Sequence, residues 1–147
     1  MHFKLKGSPI ICLVGFMGCG KSTVGRLLAA RLGWTFVDLD EEIERRAGQS
    51  IPEIFEGQGE ARFREREAEA LREHWELCQR GWGRVVALGG GAFVNPVNRE
   101  RLELAGVSIW LDCPVEKLWP RVAAASNRPL ARDREKFESL YHQRLEH

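Results

Sequence analysis

Eight residues near the start of the chain, Gly15-Phe16-Met17-Gly18-Cys19-Gly20-Lys21-Ser22, set glycines, a lysine and a hydroxyl in the spacing G-x-x-x-x-G-K-[ST]. Glycine lets a backbone curl until successive N–H groups point at one centre, which is what a phosphate oxygen needs. Lys21 adds a point charge, and Ser22 adds a hydroxyl that can ligate a hard divalent cation. A helix starting here would aim the positive end of its dipole at the same anion. The chemistry these residues support is the binding of a polyphosphate. Gly15, Met17, Gly18, Cys19, Gly20, Lys21, Ser22 and Thr23 are therefore candidate nucleotide-binding residues, Cys19 through its backbone alone.

A second set is acidic. Asp38 and Asp40 flank Leu39 at the end of a short apolar run, and residues two apart share a face while a chain is extended. One carboxylate can hold the hydration shell of a magnesium ion while the other orients or deprotonates an acceptor hydroxyl. The plain alternative is that Asp40 caps a helix starting at Glu41; beside a phosphate-binding motif the functional reading is preferred. In Gly59-Glu60-Ala61-Arg62-Phe63-Arg64-Glu65-Arg66-Glu67 the charges suit a solvated helix face, above all for Arg62, Glu65 and Arg66. Arg64, beside apolar Phe63, is placed to reach a cleft. Gly89-Gly90-Gly91 permits close backbone approach to a ligand and exposes N–H donors, although three glycines also make a flexible connection. Arg128, in a polar loop over about 125–133, can swing onto a phosphate. His2, His74, His142 and His147 lack partners at catalytic or metal spacing, and the four cysteines form no C-x-x-C pair. Cys12 and Cys113 read as small core residues.

These residues need a scaffold that gathers strand ends. Ile10–Val14 is a continuous apolar run, as in a buried parallel strand. Further strands are expected at 35–37, 84–88 and 107–111. Helices are expected at 21–32, 41–47, 51–55, about 60–77, 98–105, 114 to about 124, and from about 134 onward. This alternation predicts a three-layer α/β/α domain around a central parallel sheet, with its binding crevice at the carboxyl ends of the strands. A chain of 147 residues suits one domain spanning 1–147. With 44% hydrophobic residues, 29% charged residues and a net charge of +1, the composition is globular and lacks the basic excess of an electrostatic nucleic-acid binder. No apolar run approaches the ~20 residues that span a bilayer, and the start carries no signal-peptide pattern, so a cytoplasmic setting is expected.

In order and spacing, Gly15–Gly25, Asp38-Leu39-Asp40, Ser50-Ile51-Pro52-Glu53-Ile54-Phe55, Gly59-Glu60 with Phe63-Arg64, the triple glycine and Arg128-Pro129-Leu130 resemble the shikimate kinase family of small P-loop metabolite kinases. The match runs from about Ile10 to Arg144. The resemblance implies a P-loop NTPase fold of the nucleoside-monophosphate-kinase type. It also implies transfer of the ATP γ-phosphoryl group to the 3-hydroxyl of shikimate, with Mg²⁺ as cofactor. Lys21 would contact the β- and γ-phosphates, Ser22 the metal, and Asp38 a metal-bound water. Asp40 would meet the attacking hydroxyl, as base or as orienting group, and helices over about 41–77 would bind the acceptor. Arg64 would pair with the shikimate carboxylate, with Gly89, Gly90 and Gly91 completing that pocket. Arg121 would stack on adenine and Arg128 would neutralise the transferred phosphoryl group, which makes Lys21, Asp40 and Arg128 the catalytic candidates.

Two alignments remain for the family's second carboxylate-binding arginine. One selects Arg144 and is preferred; the other sets Tyr141 against the family's tyrosine and puts Phe137 where arginine is expected. The family's final strand and terminal helix do not follow, so the C-terminal edge strand is expected to be missing, whether the natural chain continues or lacks that edge. A monomer acting on ATP and shikimate is expected, without nucleic-acid or membrane partners. A related kinase such as a gluconate kinase is the first alternative, and a non-catalytic nucleotide-binding module is the second.

Overall fold

The computed structural model describes residues 10–124 and 133–146, apart from the side chain of Ala105. Strand β1 (Ile10–Val14) carries apolar side chains on both faces, and this dictates what covers it. Ile10 and Cys12 point into a core built with Leu39, Ile43, Ile54, Phe63 and Leu71, whereas Ile11 and Leu13 point into another with Ala29 and Val85. Period-two alternation of this kind requires a layer of helix on each side of the sheet.

The chain runs β1, α1 (Lys21–Leu32), β2 (Thr35–Asp38), α2 (Leu39–Ala47), α3 (Ile51–Gln79), β3 (Arg84–Ala87), α4 (Pro96–Ala105), β4 (Gly106–Trp110), α5 (Val115–Ala124) and α6 (Arg134–Leu145). All pairings are parallel, and the strand order is β2-β3-β1-β4. Helix α1 packs closely because Gly25 has no side chain; a Cβ there would strike the ring of Phe36 in β2. Gly33, at φ 68°, ends that helix in the left-handed conformation typical of a C-terminal cap. The expected three-layer α/β/α architecture is observed. No fifth strand occurs among the described residues, and β4 forms a sheet edge on which Trp110 is 60% exposed.

Several boundaries differ from the sequence reading by one or two residues, and those around the acidic pair and Gly59 bear on the site. Strand β2 continues to Asp38 and helix α2 begins at Leu39, so the helix cap is Asp38, whose carboxylate accepts from Glu41 N at 3.2 Å. Asp40 sits inside the first turn and caps nothing. The expected break near Gly59 is a kink at φ 81° within one long run, α3, which starts at a Ser50–Glu53 capping box. A third core lies beneath the phosphate-loop motif, where Val115, Leu118 and Val122 of α5 meet Phe137 and Tyr141 of α6 against Phe16 and Met17.

Candidate active site

Gly15 to Ser22 link the end of β1 to the start of α1, at the carboxyl edge of the sheet. Gly18 and Gly20 hold φ values of 84° and 96°, which side-chain-bearing residues rarely adopt. Lys21 Nζ folds back over the loop and donates to the carbonyl oxygens of Gly15 at 2.6 Å and Phe16 at 3.3 Å. Cys19 N also donates to the Phe16 carbonyl, at 3.2 Å. Thr23 follows on the exposed side of α1, and Met17 and Cys19 pack partly into the third core. From α5, Arg121 donates to the Gly18 carbonyl at 3.1 Å, so it braces the loop from outside.

Ser22 Oγ donates to Asp38 Oδ2 at 3.0 Å. A hydroxyl and a carboxylate next to a phosphate-binding loop form an all-oxygen donor set, which suits magnesium rather than a softer metal. Among the described residues no group of three or more His, Cys, Asp or Glu is placed to hold a metal. That is compatible with Mg²⁺, which keeps several waters and leans on substrate phosphates.

Beyond the loop, Asp40 lies over Gly89. A Cβ at Gly89 would sit 2.5 Å from Asp40 Oδ1, so only glycine leaves room for this carboxylate. Oδ1 is buried and has no hydrogen-bond partner among the described residues. Burial first, and the neighbouring Asp38 charge second, push the Asp40 pKa above that of an ordinary aspartate, while Lys21 and Arg64 pull it partly back. The result is a basic, unsatisfied oxygen within the field of two cations.

Arg64, on the inward side of α3, lies over Gly91, where a Cβ would collide with its guanidinium. Its Nη1 bonds both oxygens of Glu67, at 3.0 and 3.2 Å, and its Nη2 reaches Glu60 at 3.4 Å. Glu67 is only 1% exposed. Burial raises its pKa, chiefly offset by the charge and hydrogen bonds of Arg64, with Asp40 raising it and Arg144 lowering it further. Glu67 therefore belongs with Arg64 in one buried polar wall, a partnership that sequence reasoning missed. The signal was present: Phe63, Glu67, Ala70, Leu71, His74 and Cys78 form one buried helical stripe, and charged residues in such a stripe have partners. His74, set aside for want of a partner, lies 2.7 Å from the buried carboxylate of Glu42 and ties α3 to α2.

Gly15, Phe16, Gly89, Gly90, Tyr141 and Arg144 help line a cavity of about 430 Å³ beside this wall. Asp40 and Arg64 stay off its lining because one folds over Gly89 and the other is drawn onto Glu67. Arg144 faces the cavity, whereas Phe137 is fully buried against Phe16 and Trp119. Of the two alignments, the one through Arg144 puts a cation where an acceptor can reach it. Arg128 and residues 125–132 of the expected lid lie outside the described residues; Asp133, the last position of that range, caps α6.

A model of the shikimate kinase family matches residues 17–147. The shikimate kinase of Aromatoleum aromaticum is 45% identical over 92% of this chain and 77% of its own length. That of Geobacter sulfurreducens is 49% identical over 88% and 70%, respectively. The structure of the Acinetobacter baumannii shikimate kinase in complex with shikimate superposes with a TM-score of 0.74 at 43% identity, covering 92% of this chain and 79% of that one. With loop, acidic pair, arginine and triple glycine arranged on this parallel sheet, and with relatives this similar over most of their length, the chain belongs to the shikimate kinase family.

Proposed function

We propose that this shikimate kinase transfers the γ-phosphoryl group of ATP to the 3-hydroxyl of shikimate, with the roles below. The observation that carries the reading is the buried, unpartnered Oδ1 of Asp40, a basic acceptor between the phosphate loop and Arg64. A substrate hydroxyl donating to it would satisfy the orphaned oxygen and present the hydroxyl oxygen to a phosphate held by the loop.

The backbone of Gly15–Ser22 cradles the phosphates, and Lys21 moves from the Gly15 and Phe16 carbonyls onto the β- and γ-phosphates. Ser22, with Asp38 through a bound water, would hold Mg²⁺, which when bound neutralises charge on the phosphates. Arg64 and Arg144 take the shikimate carboxylate from two sides, and the Gly89, Gly90 and Gly91 backbone closes the pocket. As the shikimate oxygen bonds to Pγ, the bond to the β–γ bridging oxygen breaks, ADP leaves, and the hydroxyl proton passes to Asp40. A raised pKa makes Asp40 a better proton acceptor than an ordinary aspartate. Arg121 contacts the adenine, and Arg128 offsets charge on the transferred group. A monomer acting in the cytoplasm on small molecules is the proposed functional form. No described helix is long and apolar enough to cross a membrane.

Coupled ADP release with MgATP tests the reading. Turnover with shikimate but not with gluconate is expected. Equal turnover with gluconate would point to another metabolite kinase, and ATP binding with no turnover would leave a nucleotide-binding module.

A further inference from the structure

The residue that links the two halves of the site is not one of its polar groups. Phe16 lies in the phosphate loop, and its backbone carbonyl accepts from both Lys21 Nζ and Cys19 N. Its ring leaves the loop on the other side and wedges into α6. It meets Phe137 edge-on at 5.1 Å and 69°, and Tyr141 edge-on at 5.4 Å and 85°. Phe137 is fully buried and Tyr141 nearly so. The Tyr141 hydroxyl donates to the Cys113 carbonyl at 3.2 Å, which pins the same turn of α6 to the loop after β4. Arg144 follows Tyr141 by three residues, on the next turn of α6, and shares the cavity wall with Phe16 and Tyr141.

One residue thus has its carbonyl on the lysine that must reach the nucleotide and its ring on the helix that carries Arg144. When Lys21 leaves the carbonyls of Gly15 and Phe16 for bound phosphates, those carbonyls lose a charged partner and the loop resettles. A close-packed edge-on aromatic cluster transmits such a shift because it has no slack to absorb it. We infer that Phe16 is a positioning residue that couples nucleotide binding at the loop to acceptor binding at Arg144. The coupling is positive: once one substrate fixes the loop and α6 as a unit, the second loses less freedom in binding to it. This inference rests on the reading that ATP and shikimate occupy the two halves.

The test is titration of the whole chain with magnesium and a non-hydrolysable ATP analogue, with and without saturating shikimate. In the parent protein, shikimate should tighten analogue binding about fivefold or more, and the analogue should tighten shikimate binding by the same factor. In Phe16→Leu both ratios should fall to within about twofold of unity. Trp119→Phe thins the same core at Phe137 without touching Phe16, so it should lower the melting temperature yet keep the parent ratio. Should Phe16→Leu not fold, Phe16→Met carries the same expectation. A parent ratio of one, a ratio retained when Phe16 is replaced, or an equal loss in Trp119→Phe would each overturn the coupling role. Turnover of shikimate by the parent is read separately, so failure of the coupling and failure of the kinase reading are distinguishable.

Discussion

The two halves of the proposed site, phosphate loop and acceptor wall, would solve the same problem, holding an anion, by opposite means. The phosphate loop uses contiguous backbone: Gly18 and Gly20 supply the φ values, and Lys21 is stored on the loop's own carbonyls. The acceptor wall is assembled from separated pieces, with Asp40 from α2, Arg64 and Glu67 from α3, and glycines after β3 that exist to make room for those side chains. A loop of backbone donors tolerates changes in its neighbours. A wall of mutually balanced buried charges does not, and changes there should separate catalysis, binding and stability.

The largest effect is expected at Asp40. Asp40→Asn should lower kcat by about 10²–10⁴-fold, the usual span for a general base, while ATP affinity stays within about twofold. The same change removes a carboxylate whose burial opposes its charge, so thermal stability at neutral pH should rise. Loss of ATP binding on a similar scale would assign this carboxylate to the nucleotide half instead. Arg64→Ala comes next. It should raise KM for shikimate about 10–100-fold with little change for ATP, and cost about 1–3 kcal/mol of stability because Glu67 is left buried without its partner. Adding Glu67→Gln should restore much of that stability and none of the affinity, which calorimetry and steady-state kinetics read independently.

The glycines give a finer contrast. Gly89→Ala presses on Asp40 and should act mainly on kcat; Gly91→Ala presses on Arg64 and should act mainly on KM for shikimate, each by about tenfold. Identical kinetic signatures would show that the two side chains do not act separately. The smallest effect is on pH dependence. Activity should fall on acidification at a pH above the 3.8 of an ordinary aspartate, because Asp40 holds its proton more tightly. Between that value and its raised pKa the folded state binds more protons than the unfolded one, so this carboxyl makes stability rise as pH falls. Asp40→Asn should remove that component from a series of melting curves.

The same contrast explains what could be read from the chain beforehand. Gly15 to Ser22 were legible because a contiguous motif encodes both its conformation and its ligand. The parallel sheet was legible because Ile10–Val14 is apolar on both faces. Glu67 was not, since its role depends on a long-range field: its burial and the charges of Asp40 and Arg144 that act on it follow only from the tertiary fold. The cap at Asp38 lies two residues before the one the sequence suggested, because strand and helix propensities meet at Leu39, and the buried core around that leucine decides where the helix starts. The motif assigns no role to the Phe16 side chain, and its partners lie more than a hundred residues away in α6.

The sharpest single measurement compares kcat/KM for shikimate with that for its methyl ester, in the parent and in Arg64→Ala. Loss of the substrate's charge should cost the parent about 10–150-fold, the worth of a charged hydrogen bond, and cost the variant far less. A parent that turns over both acceptors equally would contradict a carboxylate-recognising wall opposite the phosphate loop.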